Sequence, residues 1–258
     1  MRRASTCVAI LGLLVFALTG VASAAPTVTL KGEAIKIPGF PHTGDILGAG
    51  ADVEFEVKVS GTEYGGFPPP VMGFNAYFPK GTKINPKPFA TCSSKIVVEE
   101  LTPEKCPKAS IVAKGYAEGF VVFGSERVPE TVSLESFNAP NYGVNTFIAG
   151  HDPASIEKAS TAKYVNLNGA GGYGPEVKAQ VPLIQTVPGA PDASTKRVVL
   201  KGGAAIRKHG KPVYYGTMPK TCPKGGYPVK VEIIFAENGL ESSPLPVTAN
   251  YKVPCPRK

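Results

Sequence analysis

Hydrophobic and polar residues alternate along much of this chain with a period of two, the pattern of strands that bury one face. The clearest run is Asp52 to Ser60, where Val53, Phe55, Val57 and Val59 face one way and Glu54, Glu56 and Lys58 the other. Val229, Val231, Ile233 and Phe235 alternate in the same way with Lys230 and Glu232. Near the C-terminus, Val247, Ala249, Tyr251 and Val253 alternate with Thr248, Asn250 and Lys252. Weaker runs cover 27–37, 71–78, 95–101, 110–123, 130–137, 144–149, 162–167, 176–187 and 197–206. Only "HDPASIEKAS", residues 151–160, predicts a helix, with Asp152 as its cap and Pro153 at its first position.

The 29 glycines and 26 prolines punctuate these runs instead of forming tracts. One-sided alternation with short turns predicts an all-β antiparallel fold, most simply a β-sandwich of Ig-like or jelly-roll-like form. "GTEYGGFPPP", 61–70, reads as a stiff connector and "NGAGGYGPE", 168–176, as a flexible one. Residues 25–258 are taken as one large sandwich domain, with 168–176 as the place where a subdivision would fall.

The first 24 residues change the picture, because they read as a secretory signal peptide. Arg2 and Arg3 make the basic start, Val8 to Leu18 an apolar core too short to span a bilayer, and Ala22-Ser23-Ala24 the cleavage site. Cys7 would leave with that signal. The remaining chain has no second apolar run of membrane-spanning length, so a secreted or extracellular protein is expected, with cell-wall association as a further option.

Four cysteines then remain, Cys92, Cys106, Cys222 and Cys255, and an even count in an exported chain predicts disulfides. Of three pairings, the sequential one, Cys92–Cys106 and Cys222–Cys255, is favoured, since each pair brackets a predicted strand. The first brackets "KIVVEEL", the second Val229 to Phe235. No ligand pair with CxxC spacing exists, and His42, His151 and His209 lie far apart, so no metal site is expected.

The formal net charge of +8 is spread over scattered lysines, with no block of like charge. This suits solubility and permits contact with acidic polymers. Export and the lack of a binding motif speak against nucleic acid. Serine-hydrolase, zinc-protease and phosphate-loop motifs are all missing from the sequence. "GAGAD" at 48–52 and "GAGGYG" at 169–174 read as turns. His151 and Asp152 are adjacent and so do not form a ready acid–base couple. Glu54, Glu56, Glu99, Glu100 and Glu232 fall on expected solvent faces.

"FPKGTKINPKPFATCS", "CPKASIVAKGYAEG", "MPKTCPKGGYPVKVEIIFAE" and the terminal "YKVPCP" resemble uncharacterised secreted, cysteine-containing all-β proteins of high-GC Gram-positive bacteria, the actinobacteria. The resemblance covers most of the chain after residue 24. It implies export and a β fold, and it carries no catalytic residues.

These readings describe a structural or binding protein of the cell envelope or extracellular space, without a cofactor and more a binder than an enzyme. Its partner would be a cell-wall polymer, a glycan or another protein. One alternative is a carbohydrate-binding module that presents Tyr164, Tyr173, Tyr214 and Tyr215 as a platform. The other is an uncharacterised hydrolase, to be recognised by two converging carboxylates in a cleft or by a Ser–His pair at hydrogen-bond reach.

Overall fold

A computed structural model describes residues 25–35, 37, 39–40, 50–236 and 246–255. The expected signal peptide, Cys7 and His42 lie outside the described residues. The chain is all-β. Its strands are β1 (Thr27–Ile35), β2 (Asp52–Ser60), β3 (Val71–Pro79), β4 (Lys83–Ile84), β5 (Ile111–Phe123), β6 (Glu126–Ala139), β7 (Gly143–Gly150), β8 (Ile156–Asn166), β9 (Tyr173–Gln180), β10 (Ser194–Gly202), β11 (Ala205–Lys208), β12 (Lys211–Tyr214), β13 (Gly216–Thr217), β14 (Tyr227–Phe235) and β15 (Val247–Val253).

Eleven of these form one antiparallel sheet in the order β1-β2-β10-β5-β6-β7-β8-β9-β3-β14-β15. The sheet twists and rolls until its end strands β1 and β15 lie alongside each other, without a hydrogen-bonded register between them. The facing layers are therefore opposite walls of one rolled sheet. Phe55 of β2 meets Phe78 of β3 edge-on at 5.8 Å, although β2 and β3 lie far apart in the strand order.

Alternation places the apolar set inside. Val229, Val231, Ile233 and Phe235 of β14 are all buried, in one cluster with Leu30, Val59, Ala249 and Val253. The outer face carries charge, as in Lys114–Glu135 at 2.6 Å between β5 and β6 and Arg197–Glu118 at 3.3 Å between β10 and β5. No helix among the described residues is long and apolar enough to cross a membrane.

Both disulfides form in the sequential pairing, Cys92–Cys106 and Cys222–Cys255. The first encloses a surprise. Residues 95–99 form a single wide helical turn instead of a strand, closed by Glu100 N–H donating to the Lys95 carbonyl at 2.9 Å. The segment packs on the outer faces of β6 and β7, strands already paired on both sides, so it finds no edge to join there. A turn instead aims Val97, fully buried, at Cys92, Cys106 and Phe137 on the outer wall, with Ile96 and Val98 beside it. The helix expected at 151–160 does not form either. Residues 151–155 connect β7 to β8, and Ile156 onward is drawn into the ladder with β7. Tertiary pairing overrides a capping pattern too short to sustain a helix.

The two ends of the barrel are closed differently. At one, the 61–70 connector folds over the opening with Pro68, Pro69 and Pro70 buried. There Arg127 stacks on Tyr64 and Phe67 at 4.3 and 4.9 Å and donates to the Ser194 hydroxyl at 3.1 Å. At the other end, residues 84–90, the β11–β12 hairpin (Ala205–Tyr214) and the β4–β13 pair form a floor.

Candidate functional site

The barrel interior is not filled. The inward positions of β5 are Ala113, Gly115, Ala117 and Gly119, alternating with Lys114, Tyr116 and Glu118 outside. At Gly115 and Gly119 a Cβ would lie 2.0 and 2.2 Å from the carbonyl oxygens of Val199 and Ser194, so β10 crosses too close for any side chain. Ala76 of β3, Ala162 of β8 and Ala179 of β9 are likewise small and inward-facing. The larger side chains meet across it only in places, as Phe55 and Phe78 do, and a cavity of about 380 Å³ remains. Phe55, Phe74, Leu134, Ile148, Val198 and Leu200 are among its lining. This volume lies within the range of small-molecule sites, about 300–1,000 Å³.

Polarity inside is confined. Ser136, Thr146 and Ser160 occupy one register line across β6, β7 and β8, facing the cavity. The Ser136 and Thr146 hydroxyls hydrogen-bond at 2.8 Å, and Ser160 is buried beside them. Glu130 also faces inward, but one carboxylate oxygen accepts from Thr131 N–H at 3.1 Å and the other from Ala154 N–H at 3.0 Å.

The floor is a hydrogen-bonded plug. Asn138 is fully buried; its amide NH2 donates to the carbonyls of Pro86 and Ala90 at 3.2 and 3.0 Å, and its oxygen accepts from Tyr215 O–H at 3.1 Å. Tyr164 packs on Tyr215 with ring centres 6.2 Å apart. Burial pushes the Tyr164 phenol up to about 12, against a smaller lowering by its hydrogen bond with Tyr215. Burial, then the proximity of Tyr164, raises Tyr215 as well.

The structure places the four tyrosines proposed as a platform at three separate sites. Tyr164 and Tyr215 line the cavity floor. Tyr173 stands beside Tyr77 at 5.6 Å, and Tyr214 packs on Phe40 at 6.1 Å. None of the four is exposed. Among the described residues, the four cysteines are all engaged in disulfides, and no group of three or more His, Cys, Asp or Glu suited to a metal ion occurs.

Glu232 departs from the solvated face expected of it. On the outer wall, Tyr77 donates to it at 2.7 Å and Lys230 pairs with it at 2.7 Å, with the Lys230 ammonium 3.8 Å from the Tyr77 ring centre. Burial works to raise the Glu232 carboxyl, but hydrogen bonds from Lys230, Tyr77 and Asn75 outweigh it and hold it below its ordinary value. One Glu232 oxygen accepts from Tyr77 and Asn75 of β3 and the other pairs with Lys230 of its own strand β14, so the cluster reads as an external clasp between β3 and β14. Glu56 is bound to Arg197, and Glu100 to Lys105 at 3.3 Å.

The interior site was missed at the level of sequence. Its signal was the run "AKGYAEG", 113–119, where the alternating inward set is Ala and Gly rather than Val or Leu. Comparison with protein-family models, curated proteins and solved structures finds no match to this chain.

Proposed function

We propose that this is an exported binding protein that takes an apolar small molecule into its barrel. The cavity carries the reading. A core of natural density fills its volume, and a void of this size lined by aliphatic and aromatic groups forfeits packing contacts that a ligand would restore. The predicted signal peptide, the two disulfides and the resemblance to secreted actinobacterial proteins support export to the envelope or its surroundings.

Titration with the neutral fluorophore N-phenyl-1-naphthylamine tests it. Saturable binding at one site is expected. Ala117→Phe, which adds a ring into the cavity from β5, should abolish that binding while the circular dichroism spectrum stays that of a folded β protein. Absence of saturable binding, or binding that Ala117→Phe leaves unchanged, would sink the reading.

A further inference from the structure

The barrel wall has a gap. β8 pairs with β7 from Ile156 to Lys163, but its ladder with β9 begins only at Thr161. Beyond that point the chain leaves β9, and Val181 N–H bonds instead to the Met72 carbonyl at 2.9 Å. Residues Ile156–Ser160 thus face the 181–187 segment across an opening. Leu101, Ser155, Glu157, Lys158 and Gln185 line that opening. It also shares Ile156 and Ile184 with the lining of the central cavity, so the two spaces adjoin.

Lys158 is the anomaly at this opening. By register it lies opposite Ile148, on the inward face of the wall between Ile156 and Ser160. An inward charge would be costly in a closed barrel. Here it is exposed, and it forms no salt bridge among the described residues. Glu157, its neighbour, leaves the strand on the other face but also borders the opening, so an anionic head must lie on the Lys158 side of it. Gln185 uses its amide oxygen to accept from Gly189 N–H at 3.3 Å, which leaves its NH2 as a donor. One inward step below Lys158, about 7 Å along the strand, lies the hydroxyl line of Ser160, Thr146 and Ser136.

We infer that the ligand is a single-chain amphipath with an anionic head, a long-chain carboxylate, which enters between β8 and residues 181–187 with its head at Lys158 and its tail in the barrel. The inference rests on the reading of the barrel as a binding cavity. It adds the ligand class and the door. Lys158 supplies the counter-charge, and the Gln185 NH2 and Ser155 hydroxyl supply neutral donors. The small hydroxyls beneath suit the first polar or polarised atoms of the chain. The rest of the cavity surface is predominantly apolar and suits the tail. A cavity of about 380 Å³ suits one acyl chain better than a two-chain lipid.

The test uses cis-parinaric acid and its methyl ester, fluorescent probes that differ only in the head. The purified oxidised protein should bind the acid about tenfold more tightly than the ester. Lys158→Met keeps the apolar stem and removes the charge; it should bring the acid-to-ester ratio close to one, and Lys158→Glu should invert it. A ratio that survives Lys158→Met overturns the assignment, whatever happens to the two affinities together. Equal binding of acid and ester by the unaltered protein overturns it too, while leaving the barrel reading intact. Failure of both probes to bind would remove the barrel reading along with it.

Discussion

The floor of the barrel and its open flank lie on the same three strands, β6, β7 and β8, and they solve opposite problems. At the floor, Asn138 has no exposure and all its side-chain groups are engaged, the Cys92–Cys106 staple lies just outside, and Tyr164 and Tyr215 close the space above. At the flank, the inward side of β8 ends in an exposed lysine, and the ladder to β9 stops. Buried polar groups are costly to strand, so the floor must be cooperative and rigid. An edge without a partner strand is where local opening is cheapest. The comparison teaches that stability and access are segregated along one strand: the β8 half at Thr161–Asn166 holds, and the half at Ile156–Ser160 admits.

The strongest way to break this contrast is at the floor. Asn138→Ala would strand the carbonyls of Pro86 and Ala90 and the Tyr215 hydroxyl. A loss of about 3 kcal/mol in urea unfolding is expected. A loss below about 1 kcal/mol would mean that water replaces the side chain and that the floor is not a cooperative plug.

Cys106→Ser comes next. The bridge spans 14 residues, for which chain entropy alone gives about 3 kcal/mol, less any relief of strain. The variant should melt well below the parent yet still bind an apolar probe at low temperature, because the stapled segment lines no part of the central cavity and only Leu101 of it borders the flank opening. Loss of binding in a variant that remains fully folded would transfer the stapled segment from scaffold to site.

A smaller effect separates floor from flank by pH. The Tyr164 phenol is raised in the folded state from 10.0 to about 12, so the unfolded chain ionises first. The stabilisation is complete below the unfolded value and is lost as pH rises through the folded one. Stability should therefore decline between pH 10 and 12, and Tyr164→Phe should flatten that decline in denaturant midpoints measured across the alkaline range. The clasp at Glu232 works in the other direction. Its depressed carboxyl contributes above its ordinary value of 4.5, and the contribution is lost as pH falls through the lower folded value.

What was legible beforehand follows from which interactions are local. Alternation in "DVEFEVKVS" or "VKVEIIF" reports one buried face whatever that face packs against, so strand positions and the antiparallel class could be read directly. The disulfide pairing was legible because each pair brackets an element close in sequence. The roll of the sheet was not, because no single strand says whether the opposite wall belongs to a second sheet or to the same one. The fate of "KIVVEEL" was hidden for a related reason: three consecutive apolar residues suit a buried strand or a turn pressed on a wall, and only the full pairing of β6 and β7 beneath it decides. The four tyrosines were read as surface aromatics because the sequence gives no sign that Tyr164 and Tyr215 meet across a void. The void was written in small residues, Ala113, Ala117 and Ala179, whose meaning depends on what fails to fill the space opposite them.

The smallest expected effect is at the flank, and it is the most discriminating. Lys158→Met should shift stability by less than about 0.5 kcal/mol, since an exposed lysine without an ion pair contributes little to folding. Native-state hydrogen exchange should find fast amides within Ile156–Ser160 and slow ones in Thr161–Lys163, where both neighbours are paired. A bound long-chain carboxylate should slow exchange in the first group and leave the second unchanged, because the ligand would fill the gap without touching a ladder that is already complete. Uniform protection along the whole of β8 without ligand would close the flank and return the barrel to a sealed shell. Protection that rises evenly on binding would mean that the ligand stabilises the whole fold by mass action, and the door would have to be sought elsewhere on the wall.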